Sequence, residues 1–117
     1  MRAEKQIDYI EIPTTDLVKT SKFFNEFFGW EFQEWGPDYF SFNDGRMDGG
    51  LRRAGEVTPL ETGVLIVFYS TDLERDRGRV TELGGTISQD IFDFPGGRRF
   101  HFVDPSGAEF AVWTSTE

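Results

Sequence analysis

Tyr9-Ile10-Glu11-Ile12-Pro13-Thr14-Thr15-Asp16-Leu17 has a counterpart further along the chain, Leu65-Ile66-Val67-Phe68-Tyr69-Ser70-Thr71-Asp72-Leu73. Each reads as an apolar strand, a polar corner and a Thr-Asp-Leu helix opening. The register holds downstream, where Glu26 falls on Glu82 and Gly29 on Gly85. A shared offset at both ends of a unit marks an internal duplication, and two copies are too few for a solenoid. The chain therefore reads as one domain, residues 1–117, of two similar halves: about 6–54, a linker at 55–62, and about 63–115.

Within the first copy, Ile7 to Ile12 alternates as a strand does. Ile10 and Ile12 share the face beneath a helix, while Ile7, Tyr9 and Glu11 share the other. Thr15 or Asp16 caps the helix that follows, and Leu17, Thr20, Phe24, Phe27 and Phe28 form its apolar stripe. Gly29 ends it as a left-handed C-cap. Two short strands flank the turn Gly36-Pro37-Asp38, and Asn43-Asp44-Gly45 leads into a third strand at Gly49 to Arg53. Its glycines imply a bulge or a close approach of backbone or ligand. The stretch from Gly55 to Gly63, with Pro59, reads as the most flexible loop.

The second copy repeats the plan. Gly63 to Ser70 is the most apolar strand, and Asp72 caps a surface helix running to Leu83 on a narrow stripe of Leu73, Val80 and Leu83. Strands follow at Ile87 to Phe94, Arg98 to Val103 and Ala108 to Thr114, separated by Pro95-Gly96-Gly97 and the tight reversal Asp104-Pro105-Ser106-Gly107. Each half is β-α-β-β-β, an α+β architecture.

Composition narrows the function. The chain has no cysteine, which removes disulfides, thiolate metal sites and a cysteine nucleophile. No apolar run reaches the ~20 residues of a membrane span and the first residues lack a signal-peptide core, so a cytoplasmic protein is expected. Net charge is -9, from 21 acidic and 12 basic residues. That disfavours nucleic acid and anionic membrane and favours cationic or neutral partners; it also serves plain solubility. Thirteen Phe point to an aromatic core or an aromatic-lined cavity. No phosphate loop is present, and Ser106 lacks the Gly-x-Ser-x-Gly context of a nucleophile.

The duplicated βαβββ plan, the Thr-Asp-Leu helix openings, the Phe-Phe-Gly-Trp and Leu-Gly-Gly helix exits, and Phe102-Val103-Asp104-Pro105-Ser106-Gly107 resemble the vicinal oxygen chelate superfamily. That superfamily groups glyoxalase I, extradiol dioxygenases, fosfomycin-resistance transferases and bleomycin-resistance proteins. The resemblance implies a cupped, partly open eight-stranded barrel with a cavity between modules, and homodimers that sometimes exchange modules. It also implies, for the enzymes, one divalent metal on His and Glu from matching strands of the two modules. Carried onto this sequence, those positions fall on Ile7 or Tyr9, on Gly63 or Leu65, on Ala111, and around Gly49 to Leu51. None is a metal ligand, and the chain has one His; neither metal nor another cofactor is expected.

On the same faces as those vacant positions sit Tyr9, Glu11, Arg99, His101, Glu109 and Trp113, the candidate ligand-binding set. His101 reads either as a general base or hydrogen-bond partner oriented by Glu11 or Glu109, or as a satisfied strand residue without chemistry. The strand that carries it resembles one that contributes a substrate-contacting side chain in fosfomycin-resistance relatives. Glu11 reads as a catalytic carboxylate beside His101 or as a surface residue paired with Arg99 or Arg52. Tyr9 and Trp113 read as cavity walls or as packing. Three functions follow: a metal-independent binding protein for a cationic or aromatic small organic molecule, as in bleomycin-resistance relatives; an enzyme moving a proton with His101 and a carboxylate; or a structural or regulatory module whose cavity its own Phe side chains fill.

Overall fold

Thr14 and Ser70 occupy equivalent corners, and there the duplication becomes visible in three dimensions. The Thr14 Oγ1 accepts the Asp16 N–H at 3.0 Å, and the Ser70 Oγ accepts the Asp72 N–H at 2.9 Å. One turn on, the Asp16 carboxylate accepts from the Lys19 N–H at 3.0 Å and that of Asp72 from Arg75 at 3.1 Å. Asp16, rather than Thr15, is therefore the first helix cap. A cap satisfies one of the backbone donors that a helix start leaves free.

The computed structural model describes residues 4–5, 7–57 and 65–116. The first half comprises β1 (Tyr9–Thr14), α1 (Leu17–Phe28), β2 (Glu31–Glu34), β3 (Tyr39–Asn43) and β4 (Asp48–Arg53). The second comprises β5 (Ile66–Tyr69), α2 (Leu73–Glu82), β6 (Thr86–Phe94), β7 (Gly97–Val103) and β8 (Glu109–Ser115). Each half builds one four-stranded sheet, in the orders β1-β4-β3-β2 and β5-β8-β7-β6. The first and fourth strands of each run parallel and the rest antiparallel. Parallel neighbours need a crossover connection, and each copy begins its own with a helix. The barrel stays open, as the expected cup requires. No helix among the described residues is long and apolar enough to cross a membrane.

Several boundaries differ from the sequence reading. The first strand begins at Tyr9 and reaches Thr14, because Pro13 and Thr14 still pair with Arg52 and Arg53. The strand expected from Gly63 to Ser70 spans only Ile66–Tyr69 among the described residues; Gly63 itself, the linker from 58 onward and residues 1–3 lie outside them. The correspondence of Gly29 with Gly85 is one of sequence only. Gly29 takes the left-handed φ of 79°, but in the second copy Gly84 does so, at 96°. Gly85 instead lies where a Cβ would press on Val80 and the Phe23 ring.

All the Phe residues but Phe92 and Phe94 belong to one shared core or pack against it. Helix α1 reaches both sheets: Phe24 meets Phe110 edge-on at 5.4 Å, Phe23 lies 6.0 Å from Phe102, and Phe28 is 4.4 Å from Phe68. Trp30 stacks on Phe42 at 4.3 Å and on Phe24 at 4.8 Å. Phe23, missing from the predicted stripe, is buried with Leu17, Thr20 and Phe24 on that face. Helix α2 adds only Leu73 and Val80 to the buried core, so its other face stays polar. Aromatic packing of this kind adds edge and stacking attraction to simple area burial, and it uses up the inner faces.

Glycines 49 and 50 show why β4 fits between its neighbours. A Cβ at Gly49 would collide with the Phe42 ring and the Ile10 carbonyl, and one at Gly50 with the Tyr39 hydroxyl. This is the close approach the Gly-Gly pair implied.

Candidate functional site

Strand alternation sends Tyr9 and Glu11 of β1 outward while Ile12 is buried. Gly50 on β4 leaves room for Tyr39 of β3 to lie over it, and a network forms. The Tyr39 hydroxyl donates to Glu11 Oε2 at 3.1 Å, so the Tyr9 hydroxyl, 2.5 Å away, donates to Tyr39. Arg52 approaches the same carboxylate at 3.7 Å. Burial, joined by the hydrogen bonds to Tyr9 and Glu11, holds the Tyr39 phenol well above its ordinary pKa. Glu11 is thus tied to Tyr39 and Arg52, and Arg99 is not its partner.

The second sheet gathers the other four candidates. His101 lies opposite Ala111 and Arg99 opposite Trp113 across β7 and β8. His101 Nδ1 and Glu109 Oε2 are 3.3 Å apart, with both side chains largely buried. Glu109, not Glu11, therefore orients the imidazole. Ser88 donates to the same Oε2 at 3.1 Å. His101 Nε2 and Arg99 Nε are buried without a hydrogen-bond partner among the described residues. Trp113 is half-buried; Tyr69 meets it edge-on at 5.2 Å and Phe94 lies 6.2 Å away.

Glu11 and Glu109 come together at one place. A cavity of about 440 Å³ opens between the halves, where Ile7, Ile10, Glu11, Ile12 and Pro13 face Ile66, Ala108, Glu109 and Phe110, with Val57 beside them. Among the described residues the lining is apolar except for Glu11 and Glu109. By contrast, the space between the inner faces, bounded by Ile10, Trp30, Phe42, Ile66 and Phe68, is about 40 Å³. The aromatic core fills the interior but not the opening.

The turn Asp104-Pro105-Ser106-Gly107 fixes one edge of that opening. Asp104 Oδ1 accepts the N–H groups of Ser106, Gly107 and Ala108 at 2.9, 2.9 and 3.0 Å, while Oδ2 is buried without a partner. Burial pushes the Asp104 carboxyl up to about 6, against those three N–H groups, which pull it down. Ser106 Oγ accepts the Thr15 N–H at 2.7 Å and so latches the second half to the corner of the first.

The residues present do not fit a divalent metal of the kind the fold's enzymes hold. Ile7, Leu65, Ala111 and Gly49 to Leu51 offer no side-chain ligand, and Tyr9 is engaged by Tyr39. His101 and Glu109 bond to each other, and among the described residues no three His, Cys, Asp or Glu side chains converge. A metal site needs three or more such donors.

Sequence reasoning left out Tyr39, Ser88, Phe92 and Phe94. The first lies on β3, where Gly50 of the neighbouring strand leaves the room it occupies. The others lie on β6, whose register against β7 shifts twice, between Ile87 and Gln89 and again before Phe92. Alternation cannot be followed through a bulge.

A family model described as Glyoxalase/Bleomycin resistance protein/Dioxygenase superfamily matches residues 6–112. The anthracycline biosynthesis protein DauV of Streptomyces sp. (strain C5) is 33% identical over 63 residues, covering 54% of this chain and 23% of that protein. The chain thus matches less than a quarter of that relative's length. A glyoxalase-related enzyme from Fulvimarina pelagi superposes with a TM-score of 0.79 at 18% identity, over 95% of this chain and 88% of that one. The fosfomycin resistance protein FosX from Mesorhizobium loti gives 0.76 at 18% identity, over 98% and 95%. At such identities the likeness is one of fold.

Proposed function

This chain belongs to the glyoxalase/bleomycin resistance protein/dioxygenase superfamily, and on that premise we propose that it is a metal-independent binding protein for a small, apolar organic molecule bearing a positive charge. One observation carries the reading: the 440 Å³ cavity between the halves is walled by aliphatic and aromatic groups, and among the described residues its charged lining is Glu11 and Glu109. An apolar cleft with a few convergent polar groups is the usual form of a small-molecule site. Two carboxylates in an apolar setting reward a cation and disfavour an anion. The bound molecule is sequestered rather than transformed, and the net charge of -9 draws cations toward the opening.

Calorimetric titration of 1-naphthylmethylammonium against the neutral 1-naphthalenemethanol tests this. The cation should bind tighter, and Glu11→Gln should weaken it by roughly tenfold, the scale of a charge-assisted hydrogen bond. Equal binding of the two compounds refutes the charge preference. Added Mn²⁺, Zn²⁺, Ni²⁺ or Fe²⁺ should leave the melting temperature unchanged, since an ion that binds the native state must raise it; a stoichiometric, stabilising metal refutes metal independence.

An enzymatic reading is favoured by His101 Nδ1 lying 3.3 Å from Glu109 with Nε2 unpartnered. That pair has the form of a base and its orienter. Solvent-deuterium incorporation next to the carbonyl of a bound ketone, lost in His101→Gln, would establish it. Pairing of two chains through the outer sheet faces is supported by the exposed Tyr9, Val67 and Tyr69; a monomer at all concentrations in sedimentation would exclude it.

A further inference from the structure

β1 and β5 are end strands of their respective sheets, and among the described residues no backbone ladder joins the two sheets. The seam between the halves is therefore closed by side chains, which can turn aside without breaking a strand pair. Three of them, Ile10, Ile12 and Ile66, line both the 440 Å³ cavity and the 40 Å³ space beneath it. The two volumes thus share one aliphatic partition. Ile12 is buried in the core, while Ile10 and Ile66 are only partly so and are its movable members.

The chemistry of the two volumes differs. Glu11 and Glu109 line the larger one. The smaller is floored by Trp30, Phe42 and Phe68, with Trp30 stacked on Phe42 at 4.3 Å. Walls around an unfilled apolar space forgo dispersion contacts, and such a space takes up an apolar group more readily than water. Its volume is little above the ~30 Å³ share of one water molecule, room for about one or two chain carbons and too little for a ring. Asp44, Met47 and Asp48 also line it, and both Asp residues are exposed, so that end meets solvent. Resting on the cation-binding reading of the larger cavity, we propose that the ligand is an unbranched alkylammonium. Its ammonium group lies at Glu11 and Glu109, its chain crosses the partition of Ile10, Ile12 and Ile66, and its terminal carbons fill the space over Trp30, Phe42 and Phe68. A longer chain passes Met47 into water and gains nothing more, so length and slenderness set the specificity.

The test titrates butyl-, hexyl-, octyl-, decyl- and dodecylammonium into the full chain below their micelle concentrations, beside the alcohols of the same lengths and 1-adamantylammonium. Affinity should rise about fourfold for each added methylene and then level off. The compact adamantyl cation should bind at least about tenfold more weakly than the best straight chain. The indole N–H resonance of Trp30 should shift with chains near the plateau and not with butylammonium. Met47→Trp, which fills the small space from its solvent end, should bring the plateau in at a shorter chain, and Phe68→Leu, which enlarges it, at a longer one. A charge preference without the rise along the series overturns the chain proposal and leaves the cation reading standing. Alcohols that bind as tightly as the ammoniums overturn both. In the unmodified protein, adamantylammonium binding as tightly as the best chain, or a Trp30 signal that no chain moves, also overturns it, whether or not the variants fold. So does an unmoved plateau in a folded Met47→Trp.

Discussion

Asp104 sets two large effects against each other, and a pH titration decides between them. Its Oδ1 receives three backbone N–H groups, an arrangement that by itself lowers a carboxyl pKa. The residue is 3% exposed, and among the described residues Oδ2 has no hydrogen-bond partner. Burial prevails and the pKa rises from 3.8 to about 6. The native state therefore holds more protons than the unfolded chain between about pH 4 and pH 6. Stability from this group is greatest below that window and falls as pH rises through it. At about 1.4 kcal/mol per pH unit, the loss by pH 7 is about 3 kcal/mol, or roughly 10 °C of melting temperature for a domain of this size. Carboxylates such as Glu74 beside Arg98 and Asp90 beside Arg77 are held low by their hydrogen bonds. Their contribution has the opposite sign, being lost as pH falls and not as it rises. The assay is urea unfolding at pH 4, 5, 6 and 7 for the wild type and Asp104→Asn, whose amide oxygen can keep the three N–H bonds without the charge. The variant should gain on the wild type by up to about 3 kcal/mol between pH 4 and 7. A difference that is flat with pH, or a carbon-detected Asp104 titration below pH 4, would show that the N–H donors outweigh burial and refute the reasoning.

Ultraviolet titration should show a late ionisation from Tyr39, held high by burial and by its hydrogen bonds to Tyr9 and Glu11; Tyr39→Phe should remove the late step, and its survival would reassign it. Gly49→Ala places a Cβ against the Ile10 carbonyl and the Phe42 ring, and should cost about 1–3 kcal/mol in chemical denaturation, the range of overpacking; a neutral result would mean β4 can shift freely. Phe24→Ala removes a fully buried ring that contacts Phe23, Phe28, Trp30 and Phe110, for an expected loss of about 3–5 kcal/mol; a loss below about 1 kcal/mol would mean that the core does not depend on it.

By itself the sequence determined the architecture, because the information that sets it is local and repeated. Asp16 and Asp72 cap, Gly29 terminates, and strand alternation assigns Ile12 inward and Glu11 outward; each follows from a few neighbouring residues, and the second copy checks the first. The resemblance likewise pointed to the family, through motifs that are themselves local. Partnership across the fold was another matter. Whether Glu11 or Glu109 orients His101, and whether Arg52 or Arg99 meets Glu11, depends on which strands pair and in what register. The two bulges of β6 broke the alternation that would have placed Phe92 and Phe94 beside Arg99. The cavity shared by Glu11 and Glu109 exists because two edge regions, far apart in the chain, come to face one another. Side-chain direction is encoded residue by residue, but which groups meet is set by packing α1 against both sheets at once, and that only the folded chain decides.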